Sequence, residues 1–394
     1  MKTILNMIKK LSFLTLFIVT LIGCNSKNKD KESIEDTQKV TSQNALSAVI
    51  DSINSDINNG DYGLIDRFMV IQNDELLADF KYHQDYETTV KKHDTANHQY
   101  NFNNTNWHPY YKESELHTLQ SVTKSITSIL FGIALDLNKG YNVSNKAMPL
   151  LNNNDIDLKN ERKQNISIED LLTMRSGLQW NEETDHNDTT NDCFRLESSD
   201  NWIEYVLSKP MDTIPGTKFV YNGGGTVLLG KILRSITGKR IDHWAEEKLF
   251  EPLGITDYYW KETPDGEIDT EGGLYLKAED LAKIGSLFLN KGKWNGKQIV
   301  SESWVATSTS PLLKDVKPQW QSVTGYGYQW WIPEYTDNGK TNIYSANGYG
   351  GQYLMIAPEH NLIIVFNGWN INDEPKKSTY RVLQDRIIPA LKHK

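Results

Sequence analysis

The chain is predicted to be an α+β protein whose antiparallel sheet is built from both ends of the chain. Three features of the sequence predict this fold. Strand-like runs lie near the start and again near the end, amphipathic helical patterns lie between them, and no internal repeat is present. Strands at both ends with helices between them indicate an α+β fold with a mostly helical insertion, here at about 145–270.

The strand predictions come from short runs of alternating or continuous apolar residues. Residues 67–72 and 76–82 are joined by Asn73, Asp74 and Glu75, which is typical of an antiparallel hairpin. Four runs near the C-terminus are expected to be successive antiparallel strands: 325–332, 341–348, 352–358 and 362–368.

Helices are predicted where apolar residues recur every three or four positions. They are, in order, 44–58, a helix from about 121 that ends at Gly140, a helix that begins at the capping-box pattern of Ser167–Asp170, 279–292, and about 375–392. Residues 83–118 have no period, and a loop this long is usually functional or poorly ordered.

The first 23 residues have the pattern of a secretory signal. Lys2, Lys9 and Lys10 precede an apolar stretch, and Gly23-Cys24 follows it. This end resembles a bacterial lipobox, which implies that Cys24 is lipidated and holds the protein on the membrane of the cell envelope, on its periplasmic or outer face. An uncleaved anchor or a chance cysteine is the alternative.

Residues 24–44 are polar and charged and are predicted to be a flexible tether, so that 45–394 forms the folded domain. The formal charge of −9 without a basic stripe excludes a nucleic-acid binder. Cys193 is the only cysteine besides Cys24, so lipidation leaves no intramolecular disulfide, and Cys193 is interpreted as a packing residue.

Ser121 and Lys124 are the first candidates for catalysis. Three positions on a helix place two side chains about 60° apart, so they are neighbours. A serine needs a partner that takes its proton, and a desolvated lysine can do this because burial lowers its pKa. The spacing alone leaves an alternative open, in which Ser121 caps the helix and Lys124 is solvated; Ser26 and Lys29 in the tether have the same spacing.

Tyr221 is the second candidate. It precedes three glycines and an apolar helix, which predicts that it lies on a tight loop. A phenolate near a lysine can serve as a general base. The alternative is a core tyrosine next to a helix start.

Five segments occur in an order that resembles the class C β-lactamase-related serine hydrolases. They are SVTKSITSILFGIALDLNKG, ISIEDLLTMRSGLQWNEE, PGTKFVYNGGGTVLLGKIL, GGLYLKAEDLAKIGSLFLNKGKWNGKQIVSESWV and GYGGQYLMIAPEHNLIIVFNG. This superfamily also holds penicillin-binding peptidases, esterases and 6-aminohexanoate-dimer hydrolase. The resemblance covers about residues 60–390 and implies a β-lactamase/transpeptidase-like fold.

The resemblance also implies roles for individual residues. Ser121 would be the acylated nucleophile, Lys124 its activator, and Tyr221 the general base and acid. The backbone N–H groups of Ser121 and Tyr349 would form the oxyanion hole. No metal and no cofactor is implied, and the expected partner is a small-molecule or short-peptide substrate of a monomeric enzyme.

Two departures from the family pattern concern substrate binding. The family's Tyr-x-Asn triplet is here Tyr221-Asn222-Gly223, so the third side chain is missing and Asn222 is a candidate to compensate. The Lys-Thr-Gly box maps to Ala346-Asn347-Gly348, with Lys340-Thr341-Asn342 as a competing match. Since the lysine of this box holds the carboxylate of β-lactams and peptides, strong β-lactamase activity is not expected.

Three further interpretations complete the sequence-based hypotheses. Glu182 and Glu183 are expected to face solvent, and the histidines of the long loop lack the spacing of a metal motif. The function predicted is that of a serine hydrolase acting on an ester or amide. The alternatives are a non-catalytic ligand-binding lipoprotein on the same fold and a weak β-lactamase or D-amino-acid peptidase.

Overall fold

The structure is a computed structural model that describes residues 44–91, 108–112, 114–151, 160–186, 188–318, 324–334, 342–371 and 375–392. The predicted signal peptide, Cys24 and the tether up to residue 43 lie outside the described residues. Within the described part, no helix combines the length and the apolar character that crossing a bilayer requires.

The strands form one large antiparallel sheet and two small ones. They are β1 (Ile65–Gln72), β2 (Glu75–Lys81), β3 (His117–Thr118), β4 (Tyr259–Trp260), β5 (Leu274–Leu276), β6 (Lys293–Trp294), β7 (Lys297–Gln298), β8 (Leu313–Val316), β9 (Thr324–Tyr326), β10 (Trp331–Pro333), β11 (Tyr344–Gly348), β12 (Gln352–Ala357) and β13 (Leu362–Gly368). The eight-stranded sheet has the order β2-β1-β13-β12-β11-β10-β9-β8, β3-β5-β4 form a second sheet, and β6-β7 a third.

The large sheet joins the two ends of the chain, as predicted. β1 pairs antiparallel with β13, and Phe68 lies opposite Phe366 with their rings stacked at 4.7 Å. The prediction of one strand at 325–332 is wrong. Gln329 has a left-handed φ of 63°, and the chain turns there into the hairpin of β9 and β10.

The helices pack on both faces of this sheet. They are α1 (44–58), α2 (Tyr86–Val90), α3 (Val122–Leu137), α4 (Glu161–Gln164), α5 (Ile168–Leu172), α6 (Asp192–Glu197), α7 (Trp202–Ser208), α8 (Gly223–Thr237), α9 (Ile241–Ala245), α10 (Glu251–Leu253), α11 (Ala278–Leu289), α12 (Glu302–Ser308) and α13 (Ile388–Lys392). Helices α4 to α10 come from the interval 145–270. The capping box predicted at Ser167 and Asp170 is present.

Two helix predictions differ from the structure. α3 ends at Leu137 instead of Gly140, because Asn138 leaves the helical conformation and its side chain donates to Ala134 O. The single C-terminal helix predicted at 375–392 is a 3₁₀ turn, a π turn and α13 in succession. Pro389 lies in this stretch, and a proline has no N–H for a regular helical bond.

The alternation of side chains along β13 explains why the sheet is covered on both faces. Ile363 and Val365 belong to the apolar core beneath α3, α8 and α11, whereas Ile364 and Phe366 belong to the core beneath α1 and the C-terminal helix. This arrangement fixes α3 against the sheet. α3 also packs closely on Trp304 of α12, because a Cβ at Gly132 would lie 2.5 Å from the Trp304 indole.

Candidate active site

Ser121 lies at the N-terminal end of α3, where the chain is tightly constrained. The preceding residue, Gln120, has a left-handed φ of 47°, which a non-glycine residue adopts at an energetic cost. Gly348 at the end of β11 packs directly against this segment, since a Cβ there would lie 2.4 Å from Leu119 O. The glycine therefore allows the end of β11 to lie beside the candidate nucleophile.

Lys124 contacts Ser121 from one helical turn further on. Its Nζ lies 2.8 Å from Ser121 Oγ, 2.9 Å from Glu271 O and 2.6 Å from Glu271 Oε2. These three contacts match the three N–H donors of an ammonium group. Only 1% of Lys124 is exposed, so this lysine is not the solvated residue of the alternative interpretation.

The charge of Lys124 is set by two opposing effects. Burial lowers its pKa, whereas the Glu271 carboxylate and, to smaller extents, Tyr221 and Glu182 raise it. The ion pair outweighs the burial, and the pKa of Lys124 lies well above its usual value. The expectation that desolvation would leave Lys124 as a neutral base is wrong, because a buried acidic partner that no local motif indicates lies beside it.

Tyr221 lies on the loop before α8 and faces the same lysine. Lys124 Nζ lies 5.2 Å from the centroid of the Tyr221 ring, and this ring also stacks on that of Trp331, with 5.6 Å between the ring centroids. Burial raises the pKa of Tyr221 to about 12, although the Lys124 charge and a hydrogen bond with Ser121 lower it. Tyr221 is therefore a phenol at neutral pH with a charged group beside it.

The two residues after Tyr221 occupy structural positions. Asn222 is buried, and its Oδ1 accepts a bond from Gly225 N–H at 2.9 Å, which caps α8. Its Nδ2 is buried and has no hydrogen-bond partner among the described residues. Gly223 is the first residue of α8 and donates its N–H to Glu182 Oε2.

The residues assigned to the third box lie at the end of β11. Ala346 is completely buried in the core, whereas Asn347 is half-buried. Both polar atoms of the Asn347 side chain lack a hydrogen-bond partner among the described residues. Tyr349 follows Gly348 and lines the same cavity as Ser121. Lys340 and Thr341 of the competing match lie outside the described residues.

Comparison with known proteins identifies the family. The Beta-lactamase family matches this chain over residues 92–385, which is well over half of its length. The chain belongs to the Beta-lactamase family. The resemblance found in the sequence is thereby confirmed.

One relative of the chain is an amidase by name and another is a hydrolase. The N-acetylmuramyl-L-alanine amidase of Bacillus subtilis (strain 168) is 24% identical over 212 residues, which are 42% of this chain and 47% of that protein. The 6-aminohexanoate-dimer hydrolase of Paenarthrobacter ureafaciens is 25% identical over 289 residues, covering 69% of this chain and 70% of that protein. The chain thus spans about half the length of the amidase that it matches.

Solved structures confirm the predicted fold. A family VIII carboxylesterase has a TM-score of 0.62 at 14% identity, covering 88% of this chain and 96% of its own. The octameric penicillin-binding protein homologue from Pyrococcus abyssi has a TM-score of 0.58 at 18% identity, and the match covers 84% of this chain and 74% of that chain. The β-lactamase/transpeptidase-like fold is therefore established for this member of the Beta-lactamase family.

The sequence interpretation missed several buried groups beside the candidate nucleophile. Glu182 is only 7% exposed, so the expectation that it faces solvent is wrong, whereas Glu183 is exposed. The Oε2 atom of Glu182 accepts hydrogen bonds from Trp180 Nε1 and Gly223 N. Burial raises the pKa of Glu182 to about 7. Glu271 lies 147 positions from Lys124 and has no local motif, so no sequence signal pointed to it.

Cys193 is also part of this cluster. Its buried Sγ lies 3.4 Å from Glu271 Oε1, and burial raises the pKa of the thiol well above its usual value. Glu182, Cys193 and Glu271 offer ligand atoms within 4.8 Å of one another. Lys124 Nζ already lies 2.6 Å from Glu271 Oε2, so a metal ion bound at that oxygen would have to displace the ammonium group.

A small cavity lies between these groups and the sheet. Its volume is about 20 Å³, and its wall includes Ser121, Glu182 and Glu271. This volume suits a single water molecule. The ring of His186 lies 4.4 Å from that of Tyr349 at the edge of the cavity.

The histidines of the long loop do not assemble as a group in the described part of the chain. His117 is buried on β3, and its Nε2 lies 3.0 Å from Asp66 Oδ2. His108 Nδ1 contacts the backbone of Tyr110. His93 and His98 lie outside the described residues.

Proposed function

We propose that this chain is a serine hydrolase that cleaves an ester or an amide through an acyl-enzyme on Ser121. The observation that carries the proposal is the 2.8 Å contact between Lys124 Nζ and Ser121 Oγ beside Tyr221. A nucleophile, a buried cation and a proton-exchanging phenol at one point are the parts that acyl transfer requires. The substrate class is a small peptide, a cell-wall fragment or a similar compound.

The reaction begins when Ser121 Oγ attacks the carbonyl carbon of the substrate. The carbonyl π electrons move to its oxygen, and the serine proton passes to the Tyr221 oxygen in its phenolate form. Burial keeps Tyr221 a phenol in most of the resting enzyme, so the reacting form is the minor fraction in which the phenol has lost its proton. The charge of Lys124 enlarges this fraction because it lowers the pKa of Tyr221. When the tetrahedral intermediate collapses, the bond to the leaving alcohol or amine breaks, and Tyr221 returns the proton to it. Water then attacks the ester carbonyl on Ser121 and gives a proton to Tyr221. The bond to Ser121 Oγ breaks, and Tyr221 returns the proton to the serine.

The proposed oxyanion hole consists of the N–H groups of Ser121 and Tyr349. The close packing of Gly348 on Leu119 supports it, because that contact brings the end of β11 beside the start of α3. Asn347 is the proposed substrate contact on the same strand, because its amide atoms have no partner in the described structure. Donors in such positions typically contribute about 10²–10³-fold to the rate.

Labelling with a fluorophosphonate tests the nucleophile. We expect the wild type to be labelled and Ser121→Ala to lose all labelling, since removal of the nucleophile costs on the order of 10⁶-fold in rate. Ser128→Ala is the matched control, because Ser128 lies on the same helix, is buried and has no described hydrogen-bond partner. An unlabelled wild type, or labelling that persists in Ser121→Ala, contradicts the proposal.

A second candidate function is a non-catalytic ligand-binding protein on the same fold. The alanine at position 346 favours it, because Ala346 is buried and offers no charge to a substrate carboxylate. A panel of chromogenic esters, D-amino-acid peptides and β-lactams separates the two functions. Burst release of product supports the hydrolase and identifies any β-lactamase or peptidase activity, whereas binding without turnover supports the second function.

We also propose that Cys24 tethers the protein to the membrane of a bacterial cell envelope. The support is the order of charged, apolar and small residues before this cysteine. Radiolabelled palmitate is expected to enter the wild type and Cys193→Ala, but not Cys24→Ala. Equal labelling of all three chains refutes the proposed anchor.

A further inference from the structure

Position 223 is where the family triplet has a side chain and this chain has none. A Cβ built on Gly223 would lie 2.8 Å from Glu271 Oε2 and 3.3 Å from Glu182 Oε2. The space that a third side chain of the triplet would enter is therefore filled by the Glu271 carboxylate. The glycine and the glutamate fit together, although they are 48 positions apart in the sequence.

Glu271 is held rigidly in this space. Asp269 Oδ1 accepts the N–H groups of Glu271 at 3.1 Å and of Gly272 at 2.9 Å, which fixes the backbone just before β5. The carboxylate receives Lys124 Nζ on Oε2 and the Cys193 thiol on Oε1. Both of its oxygens thus have a donor, and the Glu271 carbonyl binds the same lysine.

We propose that Glu271 is a positioning residue that replaces the missing third side chain of the triplet and holds Lys124 as an ammonium group directed at Ser121 Oγ. The inference rests on the proposed acyl-enzyme function. Among the described hydrogen bonds Glu271 contacts Lys124 and not Ser121, so it acts on the nucleophile through the lysine. In this site an acidic group from the segment before β5 occupies the space that a side chain at position 223 would enter from the start of α8.

A carboxylate at this point has a different effect from a neutral side chain. It fixes the charge of Lys124 as well as its position, because an opposite charge at hydrogen-bond distance favours the ammonium form. Tyr221, Glu182 and Cys193 also face Lys124 and raise its pKa, and His186 is close enough for the Lys124 charge to lower the pKa of its ring. Burial is the one effect among these that lowers the pKa of Lys124. Removal of the Glu271 charge is therefore expected to lower the pKa of Lys124.

Reciprocal substitution tests the shared space. Glu271→Ala is expected to lower kcat/KM about 10²-fold, and Gly223→Asn alone to lower it at least about tenfold because the new side chain meets the carboxylate. The double variant Gly223→Asn/Glu271→Ala is expected to be at least about tenfold more active than either single variant. If the fold losses in kcat/KM of the two single variants multiply in the double variant, the proposal is overturned.

The charge effect is tested with Glu271→Gln, which keeps the size of the side chain. Its kcat/KM is expected to fall below that of the wild type most strongly at alkaline pH, where Lys124 loses its proton earlier. A loss by the same factor at every pH indicates a structural role only and overturns the proposal. Glu279→Gln is the control for a change of one charge, because the partly exposed Glu279 pairs with Arg67 and not with Lys124, and its profile is expected to match the wild type.

A measurement without substrate separates this inference from the proposed function. Lysine labelled with ¹³C at Cε reports the protonation of Lys124 by NMR, with Lys124→Arg used to assign the signal. A lower pKa of Lys124 in Glu271→Gln supports the inference, and an unchanged pKa overturns it. If the wild type shows no labelling and no turnover, the acyl-enzyme proposal fails, whereas this titration still decides the role of Glu271.

Discussion

Glu182 provides a stability test that depends on the burial of one carboxyl group. The group lies beside Glu271 and is 7% exposed, so folding places it in a site where its charged form is disfavoured. Glu182→Gln keeps an oxygen that accepts the bonds from Trp180 and Gly223 N–H and removes the charge. We expect this variant to be more stable than the wild type at neutral and alkaline pH.

The magnitude follows from the shift in pKa. Burial raises the pKa of Glu182 from 4.5 to about 7, which corresponds to about 3 kcal/mol at about 1.4 kcal/mol per pKa unit. Below pH 4.5 the group is protonated in both the folded and the unfolded chain, so it contributes nothing to pH dependence. Between 4.5 and 7 only the unfolded chain releases the proton, so wild-type stability falls as the pH rises. Above 7 the full difference is present.

Urea unfolding of wild type and Glu182→Gln across pH 4.5 to 8.5 measures this difference. The free energy of unfolding of the variant is expected to exceed that of the wild type by about 3 kcal/mol at pH 8 and to converge with it near pH 4.5. Glu183→Gln is the matched control, since Glu183 is the next residue and is exposed. A difference that is independent of pH, or equal in both variants, refutes the assignment of a raised pKa to Glu182.

Three other predictions concern the site directly. Gly348→Ala is expected to lower kcat/KM more than tenfold and the free energy of unfolding by about 1–3 kcal/mol, because the new Cβ would meet Leu119 O. Gly140→Ala is the control and is expected to be neutral, because a Cβ there meets nothing within 4 Å. Equal effects of the two substitutions contradict this prediction. Tyr221→Phe keeps the stacking on Trp331 and should lower kcat by about 10²–10⁴-fold with little change in KM; an unchanged kcat removes Tyr221 from the mechanism. Asn347→Ala is expected to raise KM more than it lowers kcat, and steady-state kinetics that show the opposite exclude it as a substrate contact.

The sheet could be predicted because its strands carry short-range patterns. The runs at 362–368 and 76–82 agree with β13 and β2 to within a residue at each end, since apolar continuity and turn residues are local properties. The run at 325–332 failed because its aromatic residues pack on both sides of a hairpin turn. The left-handed Gln329 leaves no mark in the alternation of side chains.

The candidate site was predictable only for residues that belong to local motifs. Ser121 and Lys124 are one turn apart, and Tyr221 precedes a glycine run, so spacing and composition pointed to all three. Glu271 and Glu182 reach the same lysine from distant segments, and their charges become significant only when folding removes water from them. A buried carboxylate and a solvated one look the same in a sequence, which is why Glu182 could not be distinguished from Glu183.

The two departures from the family pattern have different structural consequences. The absence of a side chain at Gly223 is matched by a group that occupies the same space, so the surroundings of Lys124 remain complete and charged. The absence of a lysine at Ala346 has no such match, because Ala346 is fully buried and the polar atoms of neighbouring Asn347 have no described partner. The groups proposed to activate Ser121 are thus present beside it, whereas the part that would hold a substrate carboxylate is changed. This difference favours a hydrolase whose substrates lack that carboxylate, and an uncharged ester in the substrate panel is expected to be cleaved faster than a β-lactam.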